Sequence, residues 1–233
     1  MILRTDLVNY LHDYLACAEF SDYAPNGLQV EGTNSIQRLC TAVTASAEVI
    51  KITIESKADA LLVHHGFFWR AEDPCIFGMK RARLALLLNH NINLLAYHLP
   101  LDCHPDLGNN VCLARQLDIE VLDRYSVGNN RDLLWFGKLA NPVTASDWQL
   151  HINQALNRQP VVIAGGEHLI SRVAWCSGGA QDLIEKAAAL GADAYLSGEI
   201  SERTFYQAKE LGLHYFACGH HATELFGIQA LGE

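Results

Sequence analysis

Short apolar runs alternate with longer amphipathic stretches along this chain, the pattern of strands and helices laid down in turn. Leu7, Val8, Leu11, Tyr14 and Leu15 recur at helical spacing, with Thr5 as the predicted N-cap. Pro25-Asn26-Gly27 predicts a turn leading into Leu28-Gln29-Val30-Glu31-Gly32. From Ile36 the alternation becomes regular. It predicts a strand over 39–43, a helix near 46–57 and a strand over 60–63. A loop rich in aromatic and turn residues follows, from Phe67-Phe68-Trp69 to Pro74. A helix near 79–90, stopped at Asn91, and a strand over 93–98 complete the series, and Gly108-Asn109-Asn110 opens a further helix near 110–117.

The second half repeats the first. Ile170-Ser171-Arg172-Val173-Ala174-Trp175-Cys176 matches Ile36-Gln37-Arg38-Leu39-Cys40, and Ala192-Asp193-Ala194 matches Ala58-Asp59-Ala60. The offset is constant, 170 − 36 = 193 − 59 = 134. A helix over 180–190 and a strand over 213–218 continue the second copy. The stretch between the copies adds a strand over 133–139, a helix near 145–157 and a short strand over 161–163. The expectation is an internally duplicated α/β protein of two similar, tightly packed units, 1–125 and 126–233, with no inserted extra domain. The C-terminal strand and helix of the second unit would complete the functional site.

The chain's 233 residues, half of them apolar and 18% charged, suffice for a sizeable core. No apolar run approaches the roughly 20 residues of a membrane span, and Met1-Ile2-Leu3-Arg4-Thr5-Asp6 lacks the layout of a signal peptide. Seven scattered cysteines without a Cys-x-x-Cys predict free thiols in a reducing compartment, hence a cytoplasmic protein. A net charge of −9 disfavours nucleic acid as a partner. Lys80-Arg81-Ala82-Arg83 reads as a solvated helix face.

The histidines change the picture. His64 and His65 close one apolar run, and His98 and Asp102 follow another. The run Tyr215-Phe216-Ala217-Cys218 leads into Gly219-His220-His221-Ala222-Thr223-Glu224. At the offset of 134, His64-His65 falls on Gly198-Glu199. Ligands in open α/β sheets gather at the carboxyl ends of strands. A helix starting near His220 would put His220 and Glu224 on one face. Such a set of imidazoles and carboxylates suits Zn²⁺, Mn²⁺, Fe²⁺, Co²⁺ or Ni²⁺. Divided between two ions, with one carboxylate bridging, it leaves positions open for water, as a dinuclear hydrolase requires. His12, His151, His168 and His214 read as structural, and His90 and His104 nearly so.

Asn26-Gly27-Leu28-Gln29-Val30, His64-His65-Gly66, the run from Ala96-Tyr97-His98 to Gly108-Asn109-Asn110, Ser197-Gly198-Glu199 and the 219–224 segment together resemble the Nif-three-like family in its compact bacterial form. Its bacterial members carry the label GTP cyclohydrolase I type 2. The resemblance implies two interlocked α/β units and a toroidal homohexamer whose dinuclear metal centre faces an internal cavity. It implies His64, His65, Asp102, His220 and Glu224 as ligands of two divalent ions, with Glu224 as the bridge and His221 standing behind them. It further implies hydrolytic opening of the imidazole ring of GTP with release of formate, with His98 or Glu199 passing protons. No phosphate-binding glycine loop is present, so a triphosphate would need cations such as Arg70, Lys80, Arg81 or Arg83. The competing reading is a metal-holding scaffold hexamer without turnover.

Overall fold

The computed structural model describes all residues from Met1 to Glu233. Its contacts group Met1–Leu101 with Ile228–Glu233 as one unit and Asp102–Gly227 as a second. In unit one, β1 (Ile2–Leu3), α1 (Arg4–Tyr14), β2 (Gly27–Val30), β3 (Ser35–Ile36) and β4 (Leu39–Thr44) are followed by α2 (Ala47–Glu55) and β5 (Ala60–His65). Then come α3 (Gly78–Asn89), β6 (Asn93–Ala96) and α4 (Leu99–Cys103). The main sheet runs β2-β6-β5-β4, with β4, β5 and β6 parallel and β2 antiparallel at the edge. Residues 60–64 are buried without interruption, which is why β5 reads as a continuous apolar run rather than an alternating one. Ile50 of α2 and Leu84 and Leu87 of α3 pack with Leu61, Val63, Leu94 and Ala96 of the sheet. The Ser46 hydroxyl caps α2 by accepting from Val49 N (3.1 Å).

Unit two contains α5 (Asn109–Gln116), β7 (Glu120–Val127), β8 (Asn130–Val143), α6 (Ala145–Leu156), β9 (Val161–Ile163) and β10 (Ile170–Trp175). It continues through α7 (Ile184–Ala189), β11 (Ala194–Ser197), α8 (Glu202–Leu211), β12 (His214–Ala217) and α9 (His220–Gly232), whose last residues belong to unit one. Its sheet is β7-β8-β10-β11-β12-β9, with β10, β11 and β12 parallel. Ala174, Tyr195 and Tyr215 from the strands form its core with Ile184 and Ala187 of α7 and Ala208 of α8.

The duplication extends to individual hydrogen bonds. Asp59 Oδ2 accepts from the amides of Gln37 and Arg38 (2.8 and 2.9 Å). Asp193 Oδ2, 134 residues on, accepts from Ser171 and Arg172 (3.0 and 2.7 Å). β2 pairs with β6 through Gly27↔Ala96, and β9 with β12 through Val161↔Ala217. The helix stops correspond as well. Lys57 and Asn91 adopt left-handed backbone (φ 53° and 51°) where unit two uses Gly191 and Gly212 (φ 76° and 63°), the residue for which that conformation is least costly.

Three features depart from the sequence reading. α1 starts at Arg4 with Leu3 as N-cap and no side-chain cap bond, so Thr5 lies inside the helix; Leu3 is fixed by pairing with Ser35 instead. Residues 120–125, placed in the first unit by sequence, form β7 together with 126 and 127, and β7 pairs with β8 in the second sheet. The division therefore falls after Leu101 rather than after 125. The expected helix over 180–190 begins as a 3-10 turn over Gln181–Leu183 before α7. No helix is long and apolar enough to cross a membrane.

The Asp193 contacts generate a test. Burial alone would raise this carboxyl, but the amide donors of Arg172 and Ser171 and the Arg172 guanidinium hold it below the usual carboxylate range. Asp193→Ala is expected to cost about 1.5–3 kcal/mol in urea unfolding at pH 7, the worth of hydrogen bonds to a charged group. A depressed folded pKa gives stability that is complete above the unfolded value of about 3.9 and is lost as pH falls through the folded one. The gap between wild type and variant should therefore close on acidification below about pH 4. A gap independent of pH would contradict the assignment.

Candidate metal centre

In unit one the donors stand where β5 and β6 end. His64 is fully buried, and its Nδ1–H donates to the carbonyl of Tyr97 (2.9 Å). That makes Nε2 the lone-pair atom of the neutral ring. His65 Nδ1 lies 3.4 Å from Thr44 Oγ1. His98, just past β6, donates from Nδ1 to Asp22 Oδ1 (2.9 Å), so in the neutral ring Nε2 is the lone-pair atom. One ring nitrogen from each of His64, His65 and His98 lies within 4.8 Å of the others. Asp22 is the anchor: Oδ2 also accepts from Leu99 N (3.0 Å) and Asn26 Nδ2 (3.0 Å). Burial would raise its carboxyl, but these donors, His98 foremost, hold it at about 2.

In unit two α9 begins at His220, so His220 and Glu224 share a helix face as the sequence implies, with Nε2 3.1 Å from Glu224 Oε1. His220 Nδ1 lies 2.6 Å from Glu199 Oε1. The two carboxylates, Glu224 foremost, hold the His220 imidazolium up at about 9. A cation at Nε2 would replace that proton. Asp102, on α4, accepts at Oδ1 from Asn109 Nδ2 (2.9 Å) and Ser177 Oγ (2.8 Å). Asp102 and Glu224 are only 4% and 1% exposed, and their carboxylate oxygens come within 4.8 Å of each other. Two carboxylates buried this closely repel unless a cation or proton is shared between them.

The residues present fit a divalent metal. Every donor is an imidazole or a carboxylate, and the geometry leaves space at Gly178. A Cβ there would lie 2.3 Å from Glu224 Oε1 and 3.1 Å from His220 Nε2, and the backbone is left-handed at φ +67°. The seven cysteines are free thiols, and burial raises those of Cys103, Cys176 and Cys218 well above their usual value. No cysteine falls among the clustered donors.

Sequence-predicted residues are thus gathered within each unit: His64, His65 and His98 in one, and Asp102, Glu199, His220 and Glu224 in the other. His221 is exposed at the start of α9. His214 and His168 are structural, their rings 4.2 Å apart and tilted by 36°, with His214 bonded to Gly165 N and the His168 carbonyl. Sequence reasoning missed Asp22, Ser177, Gly178 and Asn109. Asp22 lies in an Asx turn, its Oδ1 accepting from Ala24 N (3.1 Å), and Asp-x-Ala-Pro-Asn was a readable turn signal. Gly178 matches Thr44 at the offset of 134, and nothing in the sequence sets it apart.

Gly178→Ala is expected to displace the Glu224 carboxylate and weaken divalent-ion binding by about tenfold or more, as loss of a supporting contact does, without loss of helical circular dichroism. Chelator competition measures it. Unchanged affinity would remove Glu224 from the donor set.

Comparison with known proteins bears on what such a centre belongs to. A protein of Allochromatium vinosum named GTP cyclohydrolase 1 type 2 homolog is 53% identical over 98% of this chain and 89% of its own. One of the same name from Pseudomonas aeruginosa is 50% identical over 100% and 92%. A solved structure described as "Structural genomics, protein ybgI, unknown function" superposes with a TM-score of 0.95 at 46% identity, covering 99% of this chain and 92% of that one. The profile of the family Duf34/NIF3 (NGG1p interacting factor 3) matches residues 2–233, and the chain belongs to that family.

Proposed function

We propose that the protein is a dinuclear metal-dependent hydrolase of a nucleotide-type substrate, and specifically that it opens the imidazole ring of GTP with release of formate. The observation that carries the reading is the Asp102–Glu224 pair, two carboxylates buried within 4.8 Å of each other beside the imidazole of His220. The name shared by the relatives supports the choice of GTP.

His64, His65, Asp102, His220 and Glu224 would hold two divalent ions, Zn, Fe, Mn, Co or Ni, with Glu224 as the shared ligand. Bound there, such ions would supply a water of lowered pKa and charge neutralisation for the substrate's oxygens. The chain's own residues do the rest. Asn109 and Ser177 aim the Asp102 carboxylate by their hydrogen bonds. Glu199 fixes the His220 ring from Nδ1, and it and His98 are placed to move protons. Asp22 sets which His98 nitrogen works: with Nδ1 bonded to the carboxylate, protons pass at Nε2. The protein works in the cytoplasm as a homohexamer, without membrane or nucleic-acid partners.

The test joins metal content to turnover. Chelator-stripped, reconstituted wild type should hold about two ions per chain, the content of a two-metal site, and Glu224→Ala distinctly less. Formate release from GTP should require metal and should fall by about a hundredfold or more in Asp102→Ala, as for removal of a catalytic metal ligand, with the oligomer intact by light scattering. Two bound ions without metal-dependent formate release would leave the scaffold reading.

A further inference from the structure

The repeat isolates a segment that its counterpart in unit two lacks. The chain passes from β11 to α8 with residues 198–201, but from β5 to α3 with residues 66–77. The offset between the units is 134 at Asp59 and Asp193 but 121 at Asn93 and His214 (214 − 93), so unit one carries 134 − 121 = 13 extra residues before β6. A connection longer than its own repeat requires is where function is expected.

That segment divides its work. Phe67 is buried in the core of unit one, and Phe68 stacks on it at 5.1 Å. Lys80 lies over the Phe68 ring and Arg83 over the Phe67 ring, so two of the four cations considered for an anionic substrate are engaged by phenylalanine. Trp69 and Arg70 turn elsewhere. With Asp22, Tyr23, Pro25 and Phe68 they line a cleft of about 390 Å³, within the usual range for small-molecule sites.

Its walls are ordered before any ligand arrives. Trp69 stands edge-on to His98 (5.4 Å, 86°) and 5.9 Å from His65. Tyr23 stands edge-on to the same His98 ring (4.9 Å, 74°) and 5.7 Å from Trp69. Arg70 donates from Nη2 to the Asp22 carbonyl (2.6 Å) and from its amide to the Tyr23 carbonyl (2.9 Å). A guanidinium has five N–H donors, so one held by a single nitrogen still presents a charged edge.

The geometry points to this cleft as the binding site for a planar nitrogen heterocycle carrying an anionic group, the ring stacked on Trp69 and Tyr23 and the anion paired with Arg70. Aromatic side chains stack on any base through its π face, and Arg pairs with phosphate or carboxylate through two parallel hydrogen bonds. The ring then lies against the His65 and His98 side of the cleft. This deepens the nucleotide-hydrolase reading and rests on it for the reaction that follows, whereas binding is measured without turnover.

Titration calorimetry on chelator-treated full-length protein tests it with three probes: GTP, guanosine and tripolyphosphate. Trp69→Leu should weaken guanosine and GTP by about tenfold, the loss of one base–aromatic stack, and leave tripolyphosphate unchanged. Trp69→Phe, which keeps a ring, should stay within about threefold of wild type. Arg70→Gln should weaken GTP and tripolyphosphate by about tenfold, the loss of a charge-assisted pair, and leave guanosine unchanged. Wild type that binds none of the probes, or affinities indifferent to both positions, would overturn the cleft. The expected pattern without metal-dependent formate release would uphold the cleft and sink the hydrolase. Formate release at unchanged GTP affinity in Trp69→Leu and Arg70→Gln would do the reverse.

Discussion

The central strands of both units are buried along their length, and that constraint decides where chemistry can sit. β5 and β11 lie between parallel neighbours and expose neither face. An ionisable side chain in the middle of either would be stranded without water or partner. At the carboxyl end the chain leaves the sheet, and backbone carbonyls, turn carboxylates and helix starts become available as partners. His64, His65 and His98 in one unit, and Glu199, His220 and Glu224 in the other, occupy that edge.

The same scaffold carries different donors in its two copies. His65 and Glu199 stand 134 residues apart at matching positions, so one copy offers an imidazole where the other offers a carboxylate. Unit one gathers three imidazoles, of which His98 is anchored by the buried carboxylate of Asp22 and His64 by the Tyr97 carbonyl. Unit two sets the carboxylates of Glu199 and Glu224 on the two ring nitrogens of His220 and makes room for Glu224 with a glycine at 178. The hydrogen bonds that build the fold, such as those at Asp59 and Asp193, are the same in both. Repetition supplies the architecture, and divergence at the strand ends supplies the donor set.

This explains what could be read from the sequence. The ungapped match around Asp59 and Asp193 revealed the duplication, because the buried strands and their latch tolerate little variation. His64, His65, His220 and Glu224 were legible as adjacent or helix-spaced donors behind apolar runs. Asp22 was not, because it acts from a turn with no periodicity through contacts remote in sequence. The Thr5 cap failed because pairing of Leu3 with Ser35 fixes the helix start two residues earlier. The division after Leu101 was hidden because β7 is a two-stranded partner of β8 with a largely exposed face, which lacks the apolar run by which the other strands announce themselves. The family is settled by comparison over nearly the whole chain.

His64, His65, Asp102, His220 and Glu224 are proposed to hold two ions. Anomalous diffraction at the absorption edge of the reconstituted metal measures this most directly. Two peaks per chain are expected, about 3.5–4 Å apart, as in two-metal sites, each within about 2.0–2.3 Å of imidazole nitrogens or carboxylate oxygens from this set, with Glu224 reaching both. A single peak, or peaks that avoid Asp102 and Glu224, would contradict it.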